Sequence, residues 1–256
     1  MLALTEAQMG RLQTQVDAQY ACAEAEHLAS YAPTLAAVAG RGSLEASVHI
    51  GLASARRAGF TQARQIRLLL QLMTHFGSHF DTDPQYAWLH PWLDASSGPD
   101  AAERARLLYW HATLYLERAY GREGVHGIGA ALQASRLDLA ALAVIGADYA
   151  GRAPQLLARL HSQRTPFLSR ETAGALIARA SSEAPRLGLG GTAAAPLLLA
   201  LMFGFGHHVA EDPLHPWAAE ALAEPGLDGE ARTAALHQRA QVTVAALLKP
   251  VMEARR

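Results

Sequence analysis

One pattern occurs twice in this 256-residue sequence, and the two copies lie 129 positions apart. Segment 72–88 reads LMTHFGSHFDTDPQYAW, and segment 201–217 reads LMFGFGHHVAEDPLHPW. Leucine, methionine, phenylalanine, glycine, histidine, aspartate, proline and tryptophan recur in register without a gap. Such a match seldom arises by chance, so the sequence predicts that one structural unit is present in two copies.

The repeated unit extends well beyond this pattern. After a shift of one residue, Asp100 matches Asp228, and each aspartate stands at the start of a long helical pattern. Solenoid repeats are about 20–45 residues long, which is much shorter than this unit. We therefore predict two helical bundle units packed as one compact protein, with the first repeat at 1–124 and the second at 125–256.

Hydrophobic residues recur at helical spacing along the chain, and alternation with period two is rare, so the sequence predicts an all-α fold without a sheet. In the first unit we predict helices to about Leu28, over 43–59 and 61–77, a short one from Pro84, and one over 101–121. In the second unit we predict helices over 134–145 and 153–163, one after Ser169, one ending at Gly206, a short one from Pro213, and a long one after Asp228.

The histidines and aspartates of the repeated pattern have two interpretations. His79 and Asp83, like His208 and Asp212, are four residues apart, and His207 could complete a metal site. Alternatively, the glycine ends a helix, the aspartate caps the next one and the proline begins it. We favour this second interpretation and predict no catalytic residue, no bound metal and no cofactor.

An uncharged stretch lies in the second unit, since no Asp, Glu, Lys or Arg occurs between Arg186 and Glu211. Its densest apolar part is too short to cross a bilayer core of about 30 Å, so we predict no membrane span. The corresponding helix of the first unit keeps a polar face that this helix lacks. We expect this helix either to pack between the two units or to bind a partner through Leu197, Phe203 and Phe205.

Aromatic residues are concentrated in the first unit, at Trp88, Trp92, Tyr109, Trp110 and Tyr115. Core packing explains such a concentration, but tryptophan and tyrosine are also the usual anchors of protein interfaces. If some of these rings are exposed, we expect Trp92, Tyr109 and Trp110 to form part of a partner-binding surface.

Composition excludes several classes of protein. The formal net charge of −1 provides no field that would attract nucleic acid or an anionic membrane. The single cysteine, Cys22, excludes an internal disulfide framework, and residues 1–6 lack the basic and apolar segments of a secretory signal. We therefore expect a cytoplasmic protein.

A resemblance to known proteins rests on three segments of the first unit, namely 58–61 (AGFT), 66–73 and 76–88 (FGSHFDTDPQYAW). These segments resemble a group of small helical bacterial proteins that are often encoded beside type VI secretion effectors. The resemblance implies an accessory role, as an effector chaperone or adaptor or as an immunity protein. It brings no catalytic residue with it.

We therefore expect a non-enzymatic protein that binds a toxin or secreted effector encoded by a neighbouring gene. The binding surface would be the groove between the two units or the apolar helix of the second. One alternative is a metal-dependent hydrolase, or the effector itself, built on the repeated histidine and aspartate pairs. Another alternative is a structural homodimer in which the apolar helix pairs with itself.

Overall fold

The computed structural model describes the backbone of residues 5–254 and the side chains of that range outside residues 6–17. The predicted all-α fold is confirmed, because the described residues form thirteen α-helices and three short 3-10 segments and contain no strand. The helices are α1 (Glu6–Tyr31), α2 (Pro33–Ala39), α3 (Arg41–Arg57), α4 (Ala63–Phe76), α5 (His90–Leu93), α6 (Ala101–Tyr120), α7 (Val125–Ala134), α8 (Leu139–Gly146), α9 (Tyr149–Leu160), α10 (Arg170–Arg186), α11 (Ala194–Phe205), α12 (Pro216–Leu222) and α13 (Gly229–Glu253). The expectation about a secretory signal falls partly on residues 1–4, which lie outside the described residues.

Helices of the first half follow the predicted bounds closely. The helices α4 and α6 end at Phe76 and Tyr120, and each is followed by a glycine with positive φ, as the sequence indicates. The segment after Asp83 is a 3-10 turn, Pro84–Leu89, that leads into α5. The sequence analysis missed α2, a seven-residue helix that begins at Pro33.

Two predicted helices of the second half are wrong in position. The helix predicted over 134–145 begins five residues later, as α8, while α7 already ends at Ala134. Asp138 caps the start of α8 by accepting a hydrogen bond from the Ala141 N–H at 2.7 Å. The short helix predicted from Pro213 begins at Pro216, as α12. Residues 213 and 214 form a turn instead, because a residue before a proline is disfavoured in the helical region, and His215, before Pro216, has φ −127° and ψ 53°.

Two clusters of buried side chains form the core. The first cluster includes Leu69, Leu70, Phe76, Phe80 and Leu108 and draws on the first half of the chain, with Leu214 added from the second half. The second cluster draws mainly on α8 to α13.

The bounds of α3 and α10 differ by the same 129 positions at both ends, as do the final residues of α4 and α11. The bounds of these helices therefore match the spacing of the sequence repeat. The division of the whole chain into two repeats that meet at residues 124 and 125 stays a prediction.

Among the described residues, no single helix has both the length and the hydropathy that a membrane crossing needs. The segments Arg122–Ala134 and Leu139–Gly146 meet that criterion only together, as a pair bent by 88°.

Candidate functional site

The two copies of the repeated pattern meet where α4 and α11 end. Gly77 and Gly206 have φ values of 92° and 101°, a region that favours glycine. A Cβ atom on Gly77 would lie 2.7 Å from the Phe205 carbonyl oxygen, and one on Gly206 would lie 3.0 Å from the Phe76 carbonyl oxygen. The two helix ends therefore approach each other so closely that glycine is required on both sides.

The first aspartate of the pattern, Asp83, joins the two copies. Its Oδ1 atom accepts a hydrogen bond from the Gln85 N–H at 2.9 Å, which is the predicted capping role. Its Oδ2 atom accepts one from the His207 N–H at 2.9 Å, across the contact. Burial alone would raise the pKa of Asp83, but His207 and these N–H groups outweigh it and lower the pKa. Asp83 is therefore a buried, ionised carboxylate that accepts hydrogen bonds from backbone N–H groups of both copies.

The second aspartate, Asp212, makes the reciprocal contact. Its Oδ1 atom accepts a hydrogen bond from the Leu214 N–H at 2.9 Å, and its Oδ2 atom accepts one from the Ser78 N–H at 2.8 Å. The Ser78 hydroxyl also donates to Asp212 Oδ1 at 2.5 Å. Each carboxylate thus accepts a backbone hydrogen bond from its own turn and another from the opposite copy.

The residues of the alternative metal site are close together but are not arranged as ligands. The rings of His79 and His208 lie 4.7 Å apart between centroids, and His207 Nδ1 lies 3.1 Å from Asp83 Oδ2. Among the side chains that the structure describes, which exclude residues 6–17, no group of three or more His, Cys, Asp or Glu is placed to hold a metal ion. Both carboxylates, Asp83 and Asp212, accept backbone hydrogen bonds instead, which supports the structural interpretation of the pattern.

A buried arginine that the sequence analysis missed lies beside this contact. Arg164 donates to the Phe203 carbonyl oxygen, to Gln85 Oε1 at 3.0 Å and to the Tyr86 hydroxyl at 2.6 Å. Its guanidinium also lies over the rings of Phe203 and Tyr86, at 4.6 and 5.4 Å from their centroids. Burial would lower the pKa of Arg164, but the interactions with Tyr86 and neighbouring tyrosines outweigh it and raise the pKa. Because Arg164 lies outside the repeated pattern, no sequence signal pointed to it.

The apolar helix α11 packs inside the protein, and most of its residues are buried. Leu197 and Phe203 are 3% and 2% exposed, whereas Phe205 is half-buried. All three also line a half-open cavity of about 610 Å³ that lies among α2, α7, α11 and α13. The helix packs mainly against α8, α9, α10 and α13 of its own half, so the predicted position between the two units is not observed. Partner binding through these three residues stays a prediction.

The aromatic residues of the first half divide between the core and the surface. Tyr115 is buried and Trp88 packs against the first cluster. On the outer side of α6, Tyr109 and Trp110 are 60% and 55% exposed.

Two more rings extend this exposed pair. The Trp110 ring lies 4.8 Å from the His111 ring, and Trp92 stacks on His111 at 5.2 Å between centroids. We call Trp92, Tyr109, Trp110 and His111 the aromatic face. Of the three aromatic residues that the sequence analysis named for partner binding, Tyr109 and Trp110 are exposed, and Trp92 is partly buried against the first cluster. As consecutive residues, Tyr109 and Trp110 point in directions about 100° apart around the helix.

Comparisons with known proteins were made at the level of sequence families, curated proteins and solved structures. None of the three finds a match to this chain.

Proposed function

We propose that this chain is a non-enzymatic protein-binding accessory of a bacterial toxin or secreted effector, acting in the cytoplasm as an immunity protein or chaperone. The aromatic face of α6 is the contact surface in this proposal. The observation that carries it is the high exposure of two adjacent large rings, Tyr109 and Trp110, on one helix.

The energetics of these rings support a partner surface. A large aromatic side chain buries about 150–250 Å² when fully covered, at about 25 cal/mol per Å². Covering the exposed half of Tyr109 or Trp110 would therefore contribute about 2 kcal/mol each. Rings of this kind supply most of the binding free energy in many protein interfaces.

Polar residues flank the rings as they do in known interfaces. One turn before Trp110, Arg106 pairs with Glu103 at 2.6 Å, and both side chains are largely accessible to solvent. One to two turns after it, Glu117 and Arg118 are exposed. An apolar centre with a charged rim is the usual anatomy of a transient protein interface.

The direct test is coexpression with the product of the adjacent gene, followed by purification through a tag on one partner. We expect a stoichiometric complex that Tyr109→Ala and Trp110→Ala each weaken by about 30-fold. The matched control is Val242→Ala on α13, an exposed hydrophobic residue outside the aromatic face, which should leave the affinity unchanged. Failure of the pair to copurify, or equal affinities for all three variants, would contradict the proposal.

Growth assays then separate the two accessory roles. An immunity protein restores growth when the partner is toxic, and Trp110→Ala should abolish this rescue. A chaperone instead raises the amount of soluble partner without any toxicity to relieve.

Two measurements test the alternatives. Stoichiometric zinc, iron or manganese in freshly purified protein would favour the hydrolase built on His79, Asp83, His207, His208 and Asp212. A dimer in light scattering without any added partner would favour the structural homodimer.

A further inference from the structure

The cavity among α2, α7, α11 and α13 has the size and lining of a ligand site. Its volume is about 610 Å³, within the range of about 300–1,000 Å³ that is usual for small-molecule pockets. Its walls are mainly aliphatic, with Ile128, Leu201, Val244, Leu248 and Val251 among them. No residue of the aromatic face lines it.

One wall of the cavity is an apolar helix that contacts α6, α9 and α13 but is only partly covered by them. Although α7 reads VHGIGAALQA, none of its residues is buried. Gly127, Ile128, Ala131 and Ala134 of this helix line the cavity. A helix with so much apolar surface is normally covered, and an apolar ligand in the cavity would cover it.

The cavity also has one polar region, where the cation Arg164 and the imidazole of His161 form part of the wall. The two residues are 2% and 7% exposed, and Arg164 Nε and His161 Nε2 make no hydrogen bond within the described part of the chain. The hydrogen bonds of Arg164 go to a carbonyl, an amide and a hydroxyl, none of which carries a negative charge. The nearest carboxylate is that of Asp83, which reaches Arg164 only through the Gln85 amide. A carboxylate in the cavity would be the first to lie directly beside this cation, and carboxylates are the groups that pair best with guanidinium.

We propose that this cavity binds an unbranched long-chain fatty acid, with the carboxylate beside Arg164 and His161 and the hydrocarbon chain against α7 and α13. The aliphatic walls match the hydrocarbon chain, and the single cation, Arg164, matches one carboxylate. A cationic amphiphile would be repelled by Arg164, and a nucleotide would find too few polar partners along the walls.

The test uses the purified full chain and cis-parinarate, a fatty acid whose fluorescence rises in an apolar site. We expect saturable binding of one molecule per chain, displaced by palmitate. Hexadecanol has a similar chain without the carboxylate, so it should compete about tenfold less well. Equal competition by hexadecanol, or no saturable binding, would overturn the proposal.

Variants that fill the cavity test its location without touching Arg164. Gly204 on α11 lines the cavity, and an added Cβ would meet no atom within 4 Å, so Gly204→Leu has room to occupy the space. Ala131→Phe fills it from the opposite wall, on α7. Both variants should lose parinarate binding while the melting temperature stays the same or rises.

The matched control is Gly174→Leu on α10, which is also a helical glycine with open space around it but lies outside the cavity. This variant should bind parinarate like the wild type. Normal binding by both cavity-filling variants would overturn the proposal.

Amide hydrogen exchange distinguishes binding in the cavity from adsorption to the surface. Palmitate should slow exchange in α7, because the ligand covers a helix that otherwise has no buried residue. Binding without protection of α7 would place the fatty acid elsewhere and contradict the proposal.

Discussion

Asp83 and His207 contact each other twice across the junction of the two copies. The Asp83 carboxylate accepts a hydrogen bond from the His207 backbone N–H at 2.9 Å, and His207 Nδ1 lies 3.1 Å from the same carboxylate oxygen. Both residues are almost fully buried. The junction is therefore held by a buried carboxylate that contacts a residue 124 positions away along the chain.

Asp83→Asn should destabilise the protein by about 2–3 kcal/mol, because a neutral amide replaces a buried charge that accepts hydrogen bonds from both copies. Asp228→Asn is the control, since Asp228 is an exposed helix cap and asparagine caps almost as well. The free energies of unfolding are compared by urea denaturation. Similar values for both variants would show that the junction contributes little.

Gly206→Ala and Gly77→Ala should each cost about 2–3 kcal/mol, since both a positive φ and a close carbonyl oxygen oppose the added methyl group. Gly40→Ala provides the comparison, because Gly40 also has a positive φ but no atom within 4 Å of an added Cβ. That control should cost about 1 kcal/mol. If all three variants lose the same free energy of unfolding, the close contact between α4 and α11 does not oppose the added methyl group.

His161 should make the protein less stable as the pH falls from about 6.5 toward 4. Burial lowers its pKa to about 4, with a contribution from the nearby charge of Arg164. In this window the unfolded chain binds a proton that the folded chain does not, so protonation favours unfolding. After discounting for solvent screening, the effect is about 1–2 kcal/mol.

His161→Asn should remove this part of the pH dependence, measured as the difference in unfolding free energy between pH 7 and pH 4.5. The unfolding free energy of the variant should therefore change less with pH than that of the wild type, in addition to any difference in absolute stability. Parallel pH profiles would mean that His161 is not protected from protonation in the folded state.

Tyr109→Ala and Trp110→Ala should change stability by less than about 0.5 kcal/mol, because both rings are more than half exposed. Leu108→Ala, on the inner side of the same helix, should cost about 2–5 kcal/mol, because Leu108 is fully buried. Thermal unfolding of the three variants makes the comparison. A large loss for either aromatic variant would place its ring in the core.

The sequence alone predicted the features that depend on neighbouring residues. Helical periodicity placed most of the helices, and glycines at 77 and 206 end α4 and α11 as predicted. The cap made by Asp83 was also predictable, since an aspartate before a proline acts within two or three residues of itself. These features are local because backbone hydrogen bonds and caps join residues that are close along the chain.

Only the tertiary structure decided which of these elements meet. The sequence indicated both aspartates as local caps, but not that Asp212 also accepts a hydrogen bond from the Ser78 N–H, 134 residues away. It also could not show that Arg164 forms part of a cavity wall. Burial depends on contacts between residues far apart along the chain, and the same apolar spacing is compatible with more than one way of packing a helix.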